Sequence, residues 1–212
     1  MNKLILFDFD GVIADSFEVF FKEFTTACNE MGFNRINSRE VFLDLFEGNL
    51  MLNVVKAGFP LWKLKGLFLR FLPRIKEVND RVHPFDGIRE MLLCLTAVYP
   101  VFIISSNLTE AVQRFLTREN IDGIREVLGA DIETSKVKKI KQVWEKYPEA
   151  IAYYIGDTCG DVHEGKEAGA ITVAVAWGWH RPERLEKAKP HYLVHTPKEL
   201  QLLLMQDNIK NI

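Results

Sequence analysis

The chain has 212 residues, of which 48% are hydrophobic and 26% charged, and its net charge is −2. That mix suits a soluble globular protein with a sizeable core, built as one large domain or as a domain with a smaller companion. The near-neutral charge gives no general case for nucleic acid or an anionic membrane as partner, and no apolar run reaches the roughly 18 residues of a membrane span.

Leu4 to Phe7 reads as an apolar strand that ends in Asp8-Phe9-Asp10-Gly11. The run opens like a secretory signal, but Asp8 and Asp10 interrupt it too early. Two carboxylates about 4 Å apart repel by about 4 kcal/mol at an effective dielectric near 20. A shared proton or a divalent cation would offset this, and an Asp-Gly turn after a buried strand is the plainer reading. Ala14 to Met31 follows as a Phe-rich amphipathic helix with Gly32 at its end. Asn37 or Ser38 caps a helix to about Phe46, and Gly48-Asn49 breaks the chain before a short helix to Ala57. Glu47-Gly48-Asn49 reads as an inter-helix turn or as a loop reaching a substrate. Pro60 opens a helix to about Leu72, and Pro73 starts a further turn or two. The stretch 59–75 interleaves apolar residues with Lys63, Lys65, Arg70 and Arg74. A membrane-surface helix is conceivable there, but a helix packed within the all-helical segment explains it as well and is preferred.

From Pro84 the rhythm changes. Helix 87–97 leads to strand 101–104, helix 108–118 to a short strand at 126–128, and helix 137–146 to strand 151–155. Helix 161–168 leads to strand 171–175, and strand 191–194 to a final helix from Pro197. Apolar strands alternating with helices predict a Rossmann-like α/β fold, a parallel sheet covered on both faces. The expected division is a core of residues 1–15 and 84–212 with an inserted all-helical cap of residues 16–83.

Ligands of open parallel sheets bind beyond the carboxyl ends of the strands. The chain places Asp8 and Asp10 there, Ser105-Ser106-Asn107 after strand 101–104, and Gly156-Asp157 with Asp161 after strand 151–155. Lys136 opens the helix between them. Four carboxylates on one rim need a cation, and an oxygen-rich site that keeps several waters suits Mg²⁺. The cysteines Cys28, Cys94 and Cys159 have no metal spacing and fit reduced thiols in cytoplasm. Cys159 reads as a small filler residue.

In this ordered set the chain resembles the haloacid dehalogenase superfamily, in its phosphatase branch, near phosphoglycolate phosphatase-like and β-phosphoglucomutase-like proteins. The resemblance rests on Asp8-Phe9-Asp10-Gly11-Val12-Ile13-Ala14-Asp15-Ser16, then Ser105, Lys136, and Gly156-Asp157 with Asp161. It implies that Asp8 is the nucleophile and forms an aspartyl-phosphate, and that Asp10 is the general acid and then the base. It implies Mg²⁺ held by Asp8, the Asp10 carbonyl and Asp157, with Asp161 holding a metal-bound water or orienting the shell. Ser105, with a backbone N–H of Ser106 or Asn107, would grip phosphoryl oxygens, Lys136 would neutralise them, and N–H groups near Gly11 would add an anion cradle. Lys138 and Lys139 read as solvated helix charges. Trp177-Gly178-Trp179-His180 is expected to pack near the entrance, with a direct role for His180 the lesser reading.

The implied activity is a Mg²⁺-dependent phosphomonoester hydrolase acting on a small phosphorylated metabolite. A phosphosugar mutase is the enzymatic alternative, and a non-catalytic phosphate-binding or scaffold protein the alternative of another class. Asp10 argues against a dehalogenase, whose halide leaves without a proton. The absence of a glycine-Lys-Ser/Thr loop argues against a P-loop ATPase. The expected partners are a small phosphorylated substrate, neither nucleic acid nor membrane, with the chain a cytoplasmic monomer or homodimer.

Overall fold

The computed structural model describes residues 2–48, 50–78 and 81–206. Its centre is a six-stranded sheet in the order β3-β2-β1-β4-β5-β6, with every pairing parallel. The strands are β1 (Lys3–Phe7), β2 (Val101–Ile104), β3 (Glu126–Leu128), β4 (Ile151–Gly156), β5 (Ile171–Val175) and β6 (Tyr192–Val194). β1 is buried along its whole length between β2 and β4, with Phe7 opposite Ile103 on one side and Ile155 on the other.

The two-residue period of a strand divides the core into two layers. Ile5 and Phe7 join Ile103, Tyr153 and Ile155 on one face, under α5 (Ile88–Thr96), α6 (Thr109–Arg118) and α10 (Pro197–Met205). Leu4 and Leu6 join Phe102, Ile104 and Tyr154 on the other, where α7 (Lys136–Trp144) lays down Ile140 and Val143. Two further helices, α8 (Cys159–Ala168) and α9 (Pro182–Lys187), follow β4 and β5. α9 has no counterpart among the expected elements. It is six residues long and mostly charged, with Leu185 as its only buried residue, so it carries no readable periodicity.

The helical insertion leaves and rejoins the core at one place. Ala14 bridges Pro84, and the Asp15 N–H donates to the His83 carbonyl at 2.9 Å. Within it lie α1 (Phe17–Glu30), α2 (Arg39–Asp44), α3 (Leu50–Lys56) and α4 (Leu64–Val78), with 3-10 turns at Leu45–Glu47 and Leu61–Lys63. Ser38 caps α2, its hydroxyl accepting from the Val41 N–H. These helices enclose their own apolar cluster, centred on Phe24, Phe42, Val54, Leu67 and Phe71.

Two expectations need correction here. Residues Leu61–Lys63 form a 3-10 turn, and the α-helix begins only at Leu64. Pro73 neither ends that helix nor starts another; it lies inside α4. A proline in a helix interior costs about 3 kcal/mol. The burial of Leu64, Leu67, Phe71 and Ile75 on one face of α4 offsets this and carries the helix through. Asn49 of the expected 47–49 turn lies outside the described residues.

Candidate active site

β1 ends at Phe7. The Asp8 N–H still donates to the Ile155 carbonyl at 2.8 Å, and then the chain turns at Gly11, whose φ is +79°. A Cβ at Gly11 would lie 2.0 Å from Asp157 Oδ2, so only glycine lets this turn lie against the β4 loop. Gly178 makes the matching approach from the loop after β5. A Cβ there would sit 2.3 Å from the Asp157 Cβ and 2.4 Å from the Gly11 carbonyl oxygen. The three loops are therefore locked together around Asp157.

The buried charges meet at Lys136, the first residue of α7. Its ammonium lies 2.9 Å from Asp8 Oδ2 and 2.7 Å from Asp161 Oδ1. Burial works against the ammonium, but Asp161 and then Asp8 outweigh it and hold its pKa well above the usual lysine range. Asp161 is saturated with donors. Tyr154 Oη adds a bond to Oδ1 at 3.0 Å, while the Thr158 N–H and hydroxyl reach Oδ2 at 3.1 and 2.5 Å. Burial pushes the Asp161 pKa up, yet Lys136 and these hydrogen bonds win and hold it below the ordinary carboxylate value. Thr158 and Asp161 form a reciprocal cap on α8.

Asp8 and Asp157 are less well served. Burial pushes the Asp8 pKa up, against the pull of Lys136. Asp157 is pushed up by burial and by the negative charges of Asp161 and Asp8. One of its oxygens accepts from the Trp179 N–H at 2.6 Å, while Oδ1 is buried with no hydrogen-bond partner among the described residues. Carboxylate oxygens of Asp8, Asp157 and Asp161 lie within 4.8 Å of one another. An all-oxygen donor set with an unpartnered buried oxygen fits a hard divalent cation such as Mg²⁺.

Asp10 occupies a separate niche. Burial raises its pKa to about 6, opposed by Ser16, Lys136 and Asn107. Its Oδ1, the Ser16 hydroxyl and Asn107 Nδ2 are all buried, and hydrogen bonding from the Ser16 and Asn107 side chains opposes the rise. Ser105 is fully buried at the end of β2, and its hydroxyl accepts from the Asn107 N–H at 2.9 Å. That N–H is thus engaged within its own loop, whereas Ser106 is exposed.

One sequence expectation is overturned. Lys138 is exposed, but Lys139 is fully buried. Its amine donates to the Ser105 carbonyl at 2.6 Å and to the Gly129 carbonyl at 3.4 Å. Burial and the nearby Lys136 lower its pKa to about 8. The spacing Lys136-x-x-Lys139 puts both amines on one helix face, and that periodicity was the available signal.

His180 is also fully buried. Its Nδ1 accepts from the Cys159 N–H at 3.1 Å and its Nε2 faces the Leu43 carbonyl at 3.0 Å, so it joins α8 to α2. Trp179 reaches further into the insertion and packs against Phe17, Phe20, Phe42 and Phe46. Glu47 pairs with Arg184 of α9 at 2.5 Å, and Asp44 with the same guanidinium at 2.7 Å. Between insertion and core opens a cavity of about 880 Å³ lined by Phe17, Leu43, Trp179 and Arg184 among others. Asp8, Asp10 and Asp157 do not line it.

Comparison with known proteins bears on this geometry. Residues 5–175 match the family model described as haloacid dehalogenase-like hydrolase. The chain is 28% identical over 208 residues to a phosphoglycolate phosphatase of Synechococcus elongatus, covering 93% of this chain and 95% of that one. It is 24% identical over 216 residues to the pyrophosphatase PpaX of Listeria monocytogenes, covering 96% of each. Among solved structures, a haloacid dehalogenase-like family hydrolase of Streptococcus pneumoniae superposes with a TM-score of 0.82 at 22% identity, covering 96% of this chain and 99% of that one. A hydrolase of Pseudomonas syringae superposes with a TM-score of 0.79 at 17% identity, covering 96% and 98%.

Proposed function

Because the chain belongs to the haloacid dehalogenase-like hydrolases and is an enzyme of their phosphatase type, we propose that it cleaves a small phosphate monoester through an aspartyl-phosphate on Asp8, with Mg²⁺ as cofactor. The observation that carries this reading is the pairing of Asp8 with Lys136 beside the unpartnered oxygen of Asp157. The insertion would serve as the cap of residues 16–83 that excludes water and reads the leaving group.

Asp8 Oδ attacks phosphorus, and the bond from phosphorus to the leaving oxygen breaks. Asp10 gives its proton to that oxygen. A pKa of about 6 keeps part of Asp10 protonated near neutral pH and makes it a competent base once the proton is gone. Asp10 then takes a proton from water, the water oxygen attacks phosphorus, and the phosphorus–Asp8 bond breaks to release phosphate. Lys136 balances the negative charge of Asp8 and the phosphoryl group throughout. Mg²⁺, held by Asp8, Asp157 and the Asp10 carbonyl with Asp161 behind them, would supply positive charge that keeps these carboxylates ionised and draws the phosphoryl group in. Ser105 and the side-chain amide of Asn107 would hold phosphoryl oxygens.

The test is hydrolysis of an aryl phosphate by the purified protein, with Mg²⁺ and with chelator. Activity that survives chelation or Asp8→Asn would sink the mechanism. Phosphoglycolate and inorganic pyrophosphate belong in the substrate panel because relatives carry both names. Conversion of a sugar 1-phosphate to its 6-phosphate without phosphate release would favour the mutase.

A further inference from the structure

We propose that the outer face of the insertion's last helix docks on an anionic lipid surface. A helix packed inside an insertion needs one apolar face, and residues 61–75, the 3-10 turn together with α4, present two. Leu64, Leu67, Phe71 and Ile75 are buried. A second set stands in solvent: Leu61 is 66% exposed, Trp62 82%, Leu69 64% and Leu72 39%. With Lys65 these residues follow one another at three- and four-residue steps, so they share a side of the helix and of the 3-10 turn before it. Packing within the chain accounts for the first face and leaves the second unexplained.

Charge selects the occupant. From Gly48 to Lys76 the chain has no Asp or Glu but has Lys56, Lys63, Lys65, Arg70, Arg74 and Lys76. The net charge of the whole is −2, so this stretch, cationic throughout, stands against an acidic remainder. Arg74 is committed to Glu30 and Glu23 of α1. Lys63, Lys65 and Arg70 are exposed and have no carboxylate partner among the described residues. Lys65 lies among the apolar side chains, and Lys63 and Arg70 flank them.

An exposed tryptophan beside leucines, with lysines able to extend their amines outward, matches an interfacial helix that lies in the headgroup layer of an acidic membrane. A second copy of the chain fits less well. A two-fold contact through this face would set the same cations against each other. No described helix is long and apolar enough to cross a bilayer. The contact is peripheral and reversible, and it is independent of the phosphatase reading.

The test is flotation of the full chain with vesicles of phosphatidylcholine, with and without phosphatidylglycerol. Flotation with the anionic vesicles only, weakened by salt, is expected. Trp62→Ser and Lys65→Gln should each reduce it, the lysine change by about fivefold, while Lys138→Gln on the exposed surface of the core leaves it unchanged. No flotation with anionic vesicles overturns the proposal, as does flotation indifferent to Trp62→Ser. A concentration-dependent dimer that Trp62→Ser dissolves, with no vesicle binding, would assign the face to self-association instead. Phosphatase activity of the two variants on a soluble aryl phosphate monitors folding and is expected to match that of the unaltered protein.

Discussion

Asp10→Asn should stabilise the protein while abolishing its chemistry, and the pH dependence of the gain identifies the cause. Burial raises the Asp10 pKa from its ordinary 3.8 to about 6. The folded state then holds a proton that the unfolded state has released, so folding loses stability as pH rises from about 4 to about 6. A tenfold change in proton affinity is worth about 1.4 kcal/mol, which makes the full penalty about 3 kcal/mol above pH 6 and nothing below pH 4. Asparagine has the same shape and no charge, so it removes the penalty. Urea unfolding of both proteins in the presence of chelator measures it. The variant should be more stable by up to about 3 kcal/mol near pH 8 and by almost nothing near pH 4. Asp8 and Asp157 are also pushed up by burial in both proteins; the Asp10 charge adds to the rise at Asp8, so its removal adds to the gain at high pH and does not reverse its sign. A gain of equal size at both pH values, or no gain near pH 8, would refute the argument.

Other substitutions probe the frame around the site. Lys139→Met removes the amine that holds the Ser105 and Gly129 carbonyls; it should destabilise by about 2 kcal/mol and raise the KM for an aryl phosphate, whereas Lys138→Met changes neither. Gly178→Ala drives a Cβ into Asp157 and the Gly11 carbonyl, and a displacement of the order of 1 Å there should lower kcat/KM by about 100-fold in a protein whose circular dichroism is unchanged. Arg184→Ala releases Asp44 and Glu47 in a partly exposed setting, so the stability loss should stay near 1 kcal/mol, and faster amide exchange over residues 39–48 would report it. Unaltered exchange there would mean that the pair does not fasten the insertion.

The core was legible because its strands are short apolar runs in a regular alternation with helices. β3 and β5 fall where their residues predict them, and Lys136 opens α7 as its spacing to Gly156-Asp157 implies. Asp8, Asp157 and Asp161 reach one place because the parallel sheet brings the ends of β1 and β4 side by side. What escaped the sequence depends on contacts between distant segments. Lys139 looks like any surface lysine until the Ser105 and Gly129 carbonyls are seen to accept from it. His180 invites a catalytic reading, yet both of its nitrogens are engaged between α8 and α2. Pro73 predicts a helix boundary by local rules, and only the buried face of α4 overrides them.

Trp179 makes the two halves of the molecule poor candidates for exchange. Its backbone belongs to the core and its N–H fixes an oxygen of Asp157, while its ring completes the aromatic cluster of the insertion. Grafting a foreign insertion onto this core would leave that indole without its phenylalanine neighbours, and the disturbance would pass along one residue to Asp157. Grafting this insertion elsewhere would leave a hole where the indole belongs. Substitutions within the insertion that preserve the socket for this one tryptophan leave Asp157 undisturbed, whereas wholesale replacement of the insertion does not.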